Sequence, residues 1–246
     1  MTEIQLMPLE KSDCEQFIKD NQEAFNYGAL EEFGKRDDHF EEEGEIISRK
    51  TIINAIDEGK AYRIMQGSSA FGGVVVKTEY DQGELELLFV SPSVHSKGIG
   101  YAAWCAVEEM YHEVTVWRTV TPYFEKRNIH FYVNRCGFHI VEYFNEHHCF
   151  PDDNEEGMYD MFAFEKILPA TPASIQEQIR RITYFENVMK KADNGSPELL
   201  RQLSDYYGSA AWKRDFAADE AGLLPKELKR GVLSEDGIYD LLEKFR

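Results

Sequence analysis

The pattern of hydrophobic residues changes at a segment bracketed by Pro169 and Pro172, and this change constrains the fold more than any other sequence feature. Before this segment, strand-like alternation of apolar and polar residues is interleaved with helix-like spacing. After it the patterns are helical, as in the series Ile175, Ile179 and Ile182. Because prolines interrupt regular elements, the sequence predicts one domain over residues 1–168 and a helical one over residues 172–246.

The first domain alternates strands with helices in an order typical of a mixed α/β sheet. Turns rich in glycine and polar residues separate the strands, and glycines also mark helix ends. The predicted elements are the helices Ser48–Glu58, Gly98–His112 and Tyr123–Cys136 and the strands Ala61–Gln66, Ala70–Thr78, Glu84–Val90, Val114–Val120, Phe138–Phe144 and Met158–Ile167. We therefore expect an α/β fold followed by a small all-α domain of about four helices.

The net charge of −18 is concentrated in the first domain. Residues 1–168 carry 15 Lys and Arg against 32 Asp and Glu, whereas residues 169–246 carry 12 against 13. Such acidity disfavours nucleic acid as a partner, because affinity for phosphates depends on basic residues. A negative field attracts cationic ligands, so an amine-bearing acceptor is one hypothesis. The alternative is that the acidity serves solubility alone.

Several features of the sequence predict a cytoplasmic protein with no membrane partner. No stretch approaches the ~18 apolar residues that span a bilayer, and the first residues lack the pattern of a signal peptide. The four cysteines include no CxxC pair, which is typical of free thiols in a reducing compartment.

A strand, a short turn and a helix follow one another over residues 85–102, and two glycines, Gly98 and Gly100, open the helix. Glycines there let a ligand approach the backbone, and the first N–H groups of the helix point into the turn. With the helix dipole behind them, these groups suit a pyrophosphate. By itself, the pattern is equally typical of a tight strand-to-helix turn.

The turn contains HSKGIG at residues 95–100, which resembles the Q/R-x-x-G-x-G/A signature of the GNAT superfamily of acetyltransferases. His95 stands where the family has Gln or Arg. A second stretch, NIHFYVNRCGF at residues 128–138, looks like the family's helix running into the next strand. Here Tyr132 lies five residues before Gly137, whereas four is more frequent. The resemblance covers about two-thirds of the chain.

The resemblance implies a mixed, mostly antiparallel sheet with acetyl-CoA as co-substrate and no metal. The strand holding Glu84–Val90 would splay away from the strand near Val114–Val120, with pantetheine in the gap. The acetyl group would pass directly to an amine in a ternary complex, without an acyl-enzyme. The residues that the resemblance assigns to cofactor binding are Phe89, Val90, His95, Ser96, Lys97, Gly98, Ile99, Gly100, Tyr101 and Asn128.

Direct transfer requires a base for the acceptor amine and stabilisation of the leaving thiolate. Glu84 and Glu86 are the candidate bases, because strand periodicity places both on one face, opposite Leu85, Leu87 and Phe89. The alternative is that both are ordinary polar residues of the less buried face.

For the thiolate, the resemblance implies Tyr132 as donor; the alternative is a core aromatic residue. Asn128, one turn earlier, would help to hold the cofactor or would be an ordinary amide on the helix surface.

Two other regions carry weaker indications. The segment His147, His148 and Cys149, with Asp152 and Asp153, has metal-ligand types without a familiar spacing, and the better interpretation is an acceptor-specificity loop. The second domain resembles a small helical domain of bacterial proteins that has no assigned function. It would cover the acceptor cleft, build a homodimer or engage a partner protein. In the last case the whole chain could be a non-catalytic acyl-CoA-binding module.

Overall fold

The computed structural model describes residues 4–33, 40–94, 98–123, 125–149, 160–192 and 194–245. The chain forms two compact units, Met1–Pro169 and Ala170–Arg246. Among the helices of the described residues, none is both long enough and apolar enough to cross a membrane.

The first unit contains a seven-stranded sheet and four helices in the described ranges. The strands are β1 (Gln5–Pro8), β2 (Lys60–Gln66), β3 (Ser69–Glu79), β4 (Gln82–Val90), β5 (Val116–Pro122), β6 (His139–Phe144) and β7 (Met161–Ile167). The helices are α1 (Cys14–Phe33), α2 (Arg49–Glu58), α3 (Ile99–Met110) and α4 (Lys126–His130).

The strands lie in the order β1-β2-β3-β4-β5-β7-β6, and all neighbours are antiparallel except β4 and β5. A chain that returns through a helix, as α3 does between these two strands, makes parallel neighbours. The single parallel pair therefore lies in the middle of the sheet, directly after the predicted strand–turn–helix. The predicted fold class, a mixed sheet flanked by helices and followed by a helical region, is confirmed.

Apolar residues bury both faces of the sheet. Val74, Val75 and Val76 of β3 have no exposed surface, as expected for a central strand covered on both sides. Val74 and Val76 belong to the core on the α3 side, where Trp104 packs edge-on against Trp117. Val75 belongs to the core on the α1 and α2 side. These two cores define the faces of the sheet used below.

Most element boundaries agree with the sequence prediction to within two or three residues. Ser48, the first residue of the predicted helix, is the N-cap of α2, since its side chain accepts a hydrogen bond from the Thr51 amide. The helix predicted over Tyr123–Cys136 starts only at Lys126 and continues as a π-helical turn from Phe131 to Cys136. The last strand begins at Met161, and the predicted start at Met158 lies outside the described residues.

The second unit contains the helices α5 (Pro172–Ala192), α6 (Pro197–Tyr207), α7 (Ala210–Glu220) and α8 (Glu235–Lys244). Serine caps begin the last two: Ser209 accepts from the Trp212 amide and Ser234 from the Gly237 amide. The indole of Trp212 donates to the carbonyl of Val232 at 2.9 Å, which ties α7 to the turn before α8. Apolar residues from all four helices form the core.

A buried charged network joins three helices of this unit. Arg181 of α5 donates through Nε and a terminal nitrogen to the two oxygens of Asp215 on α7, at 2.8 and 2.5 Å. The hydroxyl of Tyr206 on α6 donates to the same carboxylate at 2.7 Å. The side chains of Arg181 and Asp215 are 2% and 0% exposed. Because these charges are removed from water, each depends on the other for stabilisation.

We predict that Asp215→Asn lowers the free energy of unfolding by about 3–5 kcal/mol, because it removes a negative charge that directly contacts the buried Arg181 guanidinium. Asp205→Asn is the matched control, since among the described residues Asp205 forms only a long, exposed contact of 3.7 Å, with Arg201. It should change stability by less than about 1 kcal/mol. Urea unfolding followed by circular dichroism measures both, and equal losses would contradict the prediction.

Candidate active site

The parallel strands β4 and β5 stay paired over only three residues. The register joins Gln82 to Val116, Gly83 to Trp117 and Glu84 to Arg118, and the ladder ends there. Beyond this point β4 continues along β3, while β5 continues along β7. Residues 85–90 and 119–122 therefore border an opening in the sheet, as the resemblance implies.

A side-chain hydrogen bond marks the apex of this opening. Thr119, the first residue of β5 beyond the ladder, donates from Oγ1 to the carbonyl of Leu85 at 2.9 Å. Both residues are buried. The bond holds the two strands together at the last point where they are close, so the opening begins at a fixed position.

Helix α3 starts beside the end of β4. Gly98 adopts a left-handed conformation (φ 76°) at the N-cap, which glycine reaches without steric penalty. A Cβ atom added to Gly100 would lie 3.6 Å from Val90 and 3.6 Å from the ring of Phe131. The first amides of α3 are thus next to the end of β4 and carry the positive end of the helix dipole. His95, Ser96 and Lys97 lie outside the described residues.

Tyr132 is a buried residue behind the apex of the opening. Its ring packs against Phe138 and Phe164, with centroids 5.7 and 5.6 Å apart. Burial raises the pKa of Tyr132 to about 12, while a side-chain hydrogen bond with Thr119 acts in the opposite direction. The phenol therefore stays protonated at neutral pH and lies near Thr119, the residue that bridges β4 and β5.

The π-helical turn explains the unusual spacing between Tyr132 and Gly137. The Gly137 amide donates to the Tyr132 carbonyl, a bond that spans one residue more than in an α-helix. The Phe138 amide donates to the same carbonyl at 3.0 Å. Gly137 closes the turn in a left-handed conformation (φ 79°). The wider turn accommodates the additional residue within the helix.

Glu84 and Glu86 lie on the α1 and α2 side of the sheet. Lys77 is the cross-strand partner of Glu84 and is two residues from Val75, so it shares the face of Val75. The Lys77 ammonium is 3.3 Å from a carboxylate oxygen of Glu86. Glu84 and Glu86 therefore lie on the same face as Lys77, as strand periodicity predicts, and Glu86 forms an ion pair with it.

The prediction that Leu85, Leu87 and Phe89 all lie opposite the glutamates is wrong for the last two. Leu85 packs on the α3 side, whereas Leu87 and Phe89 pack on the α1 and α2 side. The cause is a β-bulge, because the register skips Glu86 between the pairs of Leu85 and Leu87. One additional residue reverses the alternation that follows it.

The pKa of Glu84 is raised, first by partial burial of its carboxyl and then by the negative charge of Glu86. Positive charges on Lys77 and Arg118 act in the opposite direction. Arg118 is the partner of Glu84 on β5, and its guanidinium donates twice to Glu165 on β7 at 2.9 and 2.8 Å. Charged side chains thus alternate across four neighbouring strands.

The other predicted cofactor residues occupy varied positions. Phe89 is buried, while Val90 is partly buried beside Gly100. Ile99 is buried, which leaves its backbone amide as the group available to a ligand. Tyr101 is 40% exposed, and Asn128 on α4 is partly buried. The structure thus brings β4, α3 and the π-helical turn after α4 together around one end of the opening.

The candidate metal segment forms a small turn after β6. His148 lies 2.7 Å from a carboxylate oxygen of Glu142, and its ring stacks on Phe144. Asp152 and Asp153 lie outside the described residues. Within the described ranges, no group of three or more His, Cys, Asp or Glu side chains is arranged to hold a metal ion.

Sequence reasoning missed three residues at this site: Lys77, Arg118 and Thr119. Each is a neighbour of β4 through strand pairing or through a side-chain bond to it, and each is at least 7 residues along the chain from the residue of β4 that it partners. The sequence offered no signal for them, because a polar residue in a strand identifies its contacts only after the register is known.

Comparison with known proteins places these features in a family. A model described as "Acetyltransferase (GNAT) family" matches residues 15–138, and one described as "Domain of unknown function (DUF4298)" matches residues 172–246. The chain is also similar to the uncharacterized protein YrkN of Bacillus subtilis (strain 168). The two are 44% identical over 154 residues, which are 61% of this chain and 80% of YrkN.

Solved structures show a similar fold. The ribosomal-protein-S18-alanine N-acetyltransferase from Escherichia coli is 16% identical, with a TM-score of 0.50 over 69% of this chain and 97% of that one. The PaiA N-acetyltransferase from Thermoplasma acidophilum, in complex with coenzyme A, is 17% identical, with a TM-score of 0.47 over 67% and 99%. The first likeness and the family match confirm the resemblance found in the sequence.

We predict that Gly137→Ala destabilises the first unit by about 1–2 kcal/mol, because an L-residue in a left-handed conformation is strained. The added methyl group would meet only Lys166, at 3.9 Å, so the loss would report strain rather than a clash. Gly28→Ala in α1 is the control: beyond the backbone of its own helix, no atom of the described residues lies within 4 Å of its added Cβ, and it should stabilise by roughly 0.5–1 kcal/mol. Thermal unfolding measures both, and a stabilised Gly137→Ala would contradict the argument.

Proposed function

The chain belongs to the acetyltransferase (GNAT) family and is an acyltransferase, and on that premise we propose that it moves an acetyl group from acetyl-CoA to an amine acceptor. Transfer is direct, in a ternary complex, with no acyl-enzyme. One observation carries this proposal: β4 and β5 separate after Glu84 and Arg118, and the start of α3 adjoins the opening. An extended pantetheine arm suits such an opening, because it can hydrogen-bond to strand backbone on its edge.

The cofactor is held mainly by backbone in this proposal. The amides at the start of α3 bind the pyrophosphate, supported by the helix dipole. Gly100 permits close approach, while the backbone of Phe89 and Val90 lies along the pantetheine. Roles for His95, Ser96 and Lys97 in the turn stay predictions from the sequence.

The acetyl-transfer step divides between the two faces of the sheet. A glutamate of β4 takes a proton from the acceptor ammonium on the α1 and α2 side. The amine then attacks the thioester carbonyl, and the C–S bond breaks. Tyr132 stabilises the leaving thiolate by donating a hydrogen bond. Its raised pKa supports hydrogen bonding over full proton transfer, because a phenol of high pKa gives up its proton reluctantly.

The acceptor class, the cellular location, the division into domains and the role of the helical domain are proposed on separate grounds. The acidity of the first 168 residues supports a cationic acceptor. The four cysteines are free thiols, which supports a cytoplasmic location. Residues 1–168 and 172–246 are proposed as two domains, and the helical one is proposed to build a homodimer or to bind a partner. A non-catalytic acyl-CoA-binding module is the alternative that the following experiments distinguish.

We expect Gly100→Glu to abolish acetyl-CoA binding measured by calorimetry, because a carboxylate in the first turn of α3 repels the pyrophosphate. Gly208→Glu is the matched control: it adds the same charge in the helical unit, where its Cβ would make only ordinary contacts of 3.6 Å or more. If Gly100→Glu still binds acetyl-CoA, the cofactor site lies elsewhere in the chain. Absence of binding in the unmodified chain would contradict the whole proposal.

Tyr132→Phe should lower kcat about 10- to 150-fold in a primary-amine screen, because a hydrogen bond to a charged group contributes ~1.5–3 kcal/mol. Acetyl-CoA affinity should change little. Tyr111→Phe is the control, since it removes another hydroxyl from the same core, one that pairs with Tyr62 at 2.6 Å. An unchanged kcat in Tyr132→Phe would show that Tyr132 only packs in the core and does not stabilise the thiolate.

A further inference from the structure

We propose that Lys77 is a positioning residue which, by pairing with Glu86, leaves Glu84 as the carboxylate that accepts the proton from the acceptor amine. This inference rests on the proposed acetyl transfer and chooses between two bases that the sequence could not separate. It concerns four charged side chains on one face of the sheet, Lys77, Glu84, Glu86 and Arg118, which we call the charge cluster.

Lys77 is held over Glu86 by two contacts. Its ammonium lies 3.3 Å from Glu86 and 2.8 Å from Glu58, which reaches down from α2. The side chains of Lys77 and Glu86 are 31% and 26% exposed, so water screens their attraction only in part. The Lys77 ammonium is therefore engaged by Glu86 and Glu58.

Glu84 lies between the cations Lys77 and Arg118, but its contacts differ from those of Glu86. The guanidinium of Arg118, its neighbour on β5, is engaged by Glu165 through two donors. Among the residues that the structure describes, none forms an ion pair with Glu84 within 4.0 Å. After partial burial, the negative charge of Glu86 is the second cause of the raised pKa of Glu84. A neighbouring carboxylate disfavours the ionised form of a carboxyl group.

The carboxyl groups of Glu84 and Glu86 therefore differ in their charged partners. Lys77 pairs with Glu86, whereas Glu84 has no ion-pair partner among the described residues, so the proton taken from the acceptor goes to Glu84. The raised pKa of Glu84, caused first by burial and then by the charge of Glu86, agrees with this division. A carboxylate of raised pKa is also the more effective base for an ammonium.

The proton balance of the step is then complete. The acceptor ammonium gives one proton to the Glu84 carboxylate, and the freed lone pair forms the C–N bond as the C–S bond breaks. The thiolate leaves with the electron pair, hydrogen-bonded to Tyr132. The amide nitrogen loses its second proton to water, and Glu84 releases its proton to solvent before the next turnover.

The test is a pH titration of the full chain labelled with ¹³C at the glutamate carboxyls and followed by NMR. The resonances that disappear in Glu84→Gln and in Glu86→Gln identify the two groups. We expect Glu84 to titrate at the higher pH. Lys77→Met should raise the pKa of Glu84, because it removes a nearby positive charge that lowers it. Glu86→Gln should lower the pKa of Glu84.

Lys60→Met is the matched control for Lys77→Met. Lys60 is on β2, where its ammonium lies 3.3 Å from Thr78 and over the ring of Tyr111. The substitution removes the same charge outside the charge cluster and should shift neither carboxyl. A Glu86 that titrates above Glu84, or an unshifted pair in Lys77→Met, would overturn the proposal.

Steady-state kinetics test whether Glu84 and Glu86 contribute to catalysis as proposed. With the best acceptor of the primary-amine screen, the acid limb of kcat/KM should move to higher pH in Lys77→Met and to lower pH in Glu86→Gln. Glu84→Gln should lose at least about 100-fold in kcat/KM and more than Glu86→Gln. The opposite ranking would overturn the proposal. The NMR titration needs no acceptor, so failure of acetyl transfer and failure of this inference are distinguishable.

Discussion

The incomplete pairing of β4 with β5 is the constraint on which the rest of the candidate site depends. β4 follows β3 along its whole length but meets β5 for only three residues. Backbone N–H and C=O groups require partners, so the edges of such an opening favour an extended ligand with its own polar groups. The Thr119 bond to Leu85 fixes where the strands part, and the helices on either face are arranged around that point.

Two local irregularities adapt the side chains to this opening. The bulge at Glu86 reverses the alternation of β4, so that Leu85 supports the α3 side while Leu87 and Phe89 support the other. The π-helical turn after α4 places Tyr132 next to Thr119 despite one additional residue before Gly137. Irregularities of this kind are over-represented at functional sites, where they redirect single side chains without changing the fold.

The two units differ in how charge contributes to their structure. In the helical unit, Arg181 and Asp215 are fully buried and tie three helices together with Tyr206. In the acetyltransferase unit, the charge cluster is partly exposed and connects neighbouring strands. A buried pair of the first kind penalises any arrangement that separates it, whereas a partly exposed cluster leaves its carboxyls able to exchange protons with solvent.

The sequence by itself determined the order of the elements, the helix caps and the turn at Gly98 and Gly100, because each depends on residues close together in the chain. It also carried the family resemblance. Only the tertiary structure decided that Lys77 and Arg118 flank Glu84 and that Leu87 shares its face. Strand register and bulges depend on pairing between distant segments, and a shift of one residue reverses every side chain beyond it. Local periodicity contains no information about such a shift.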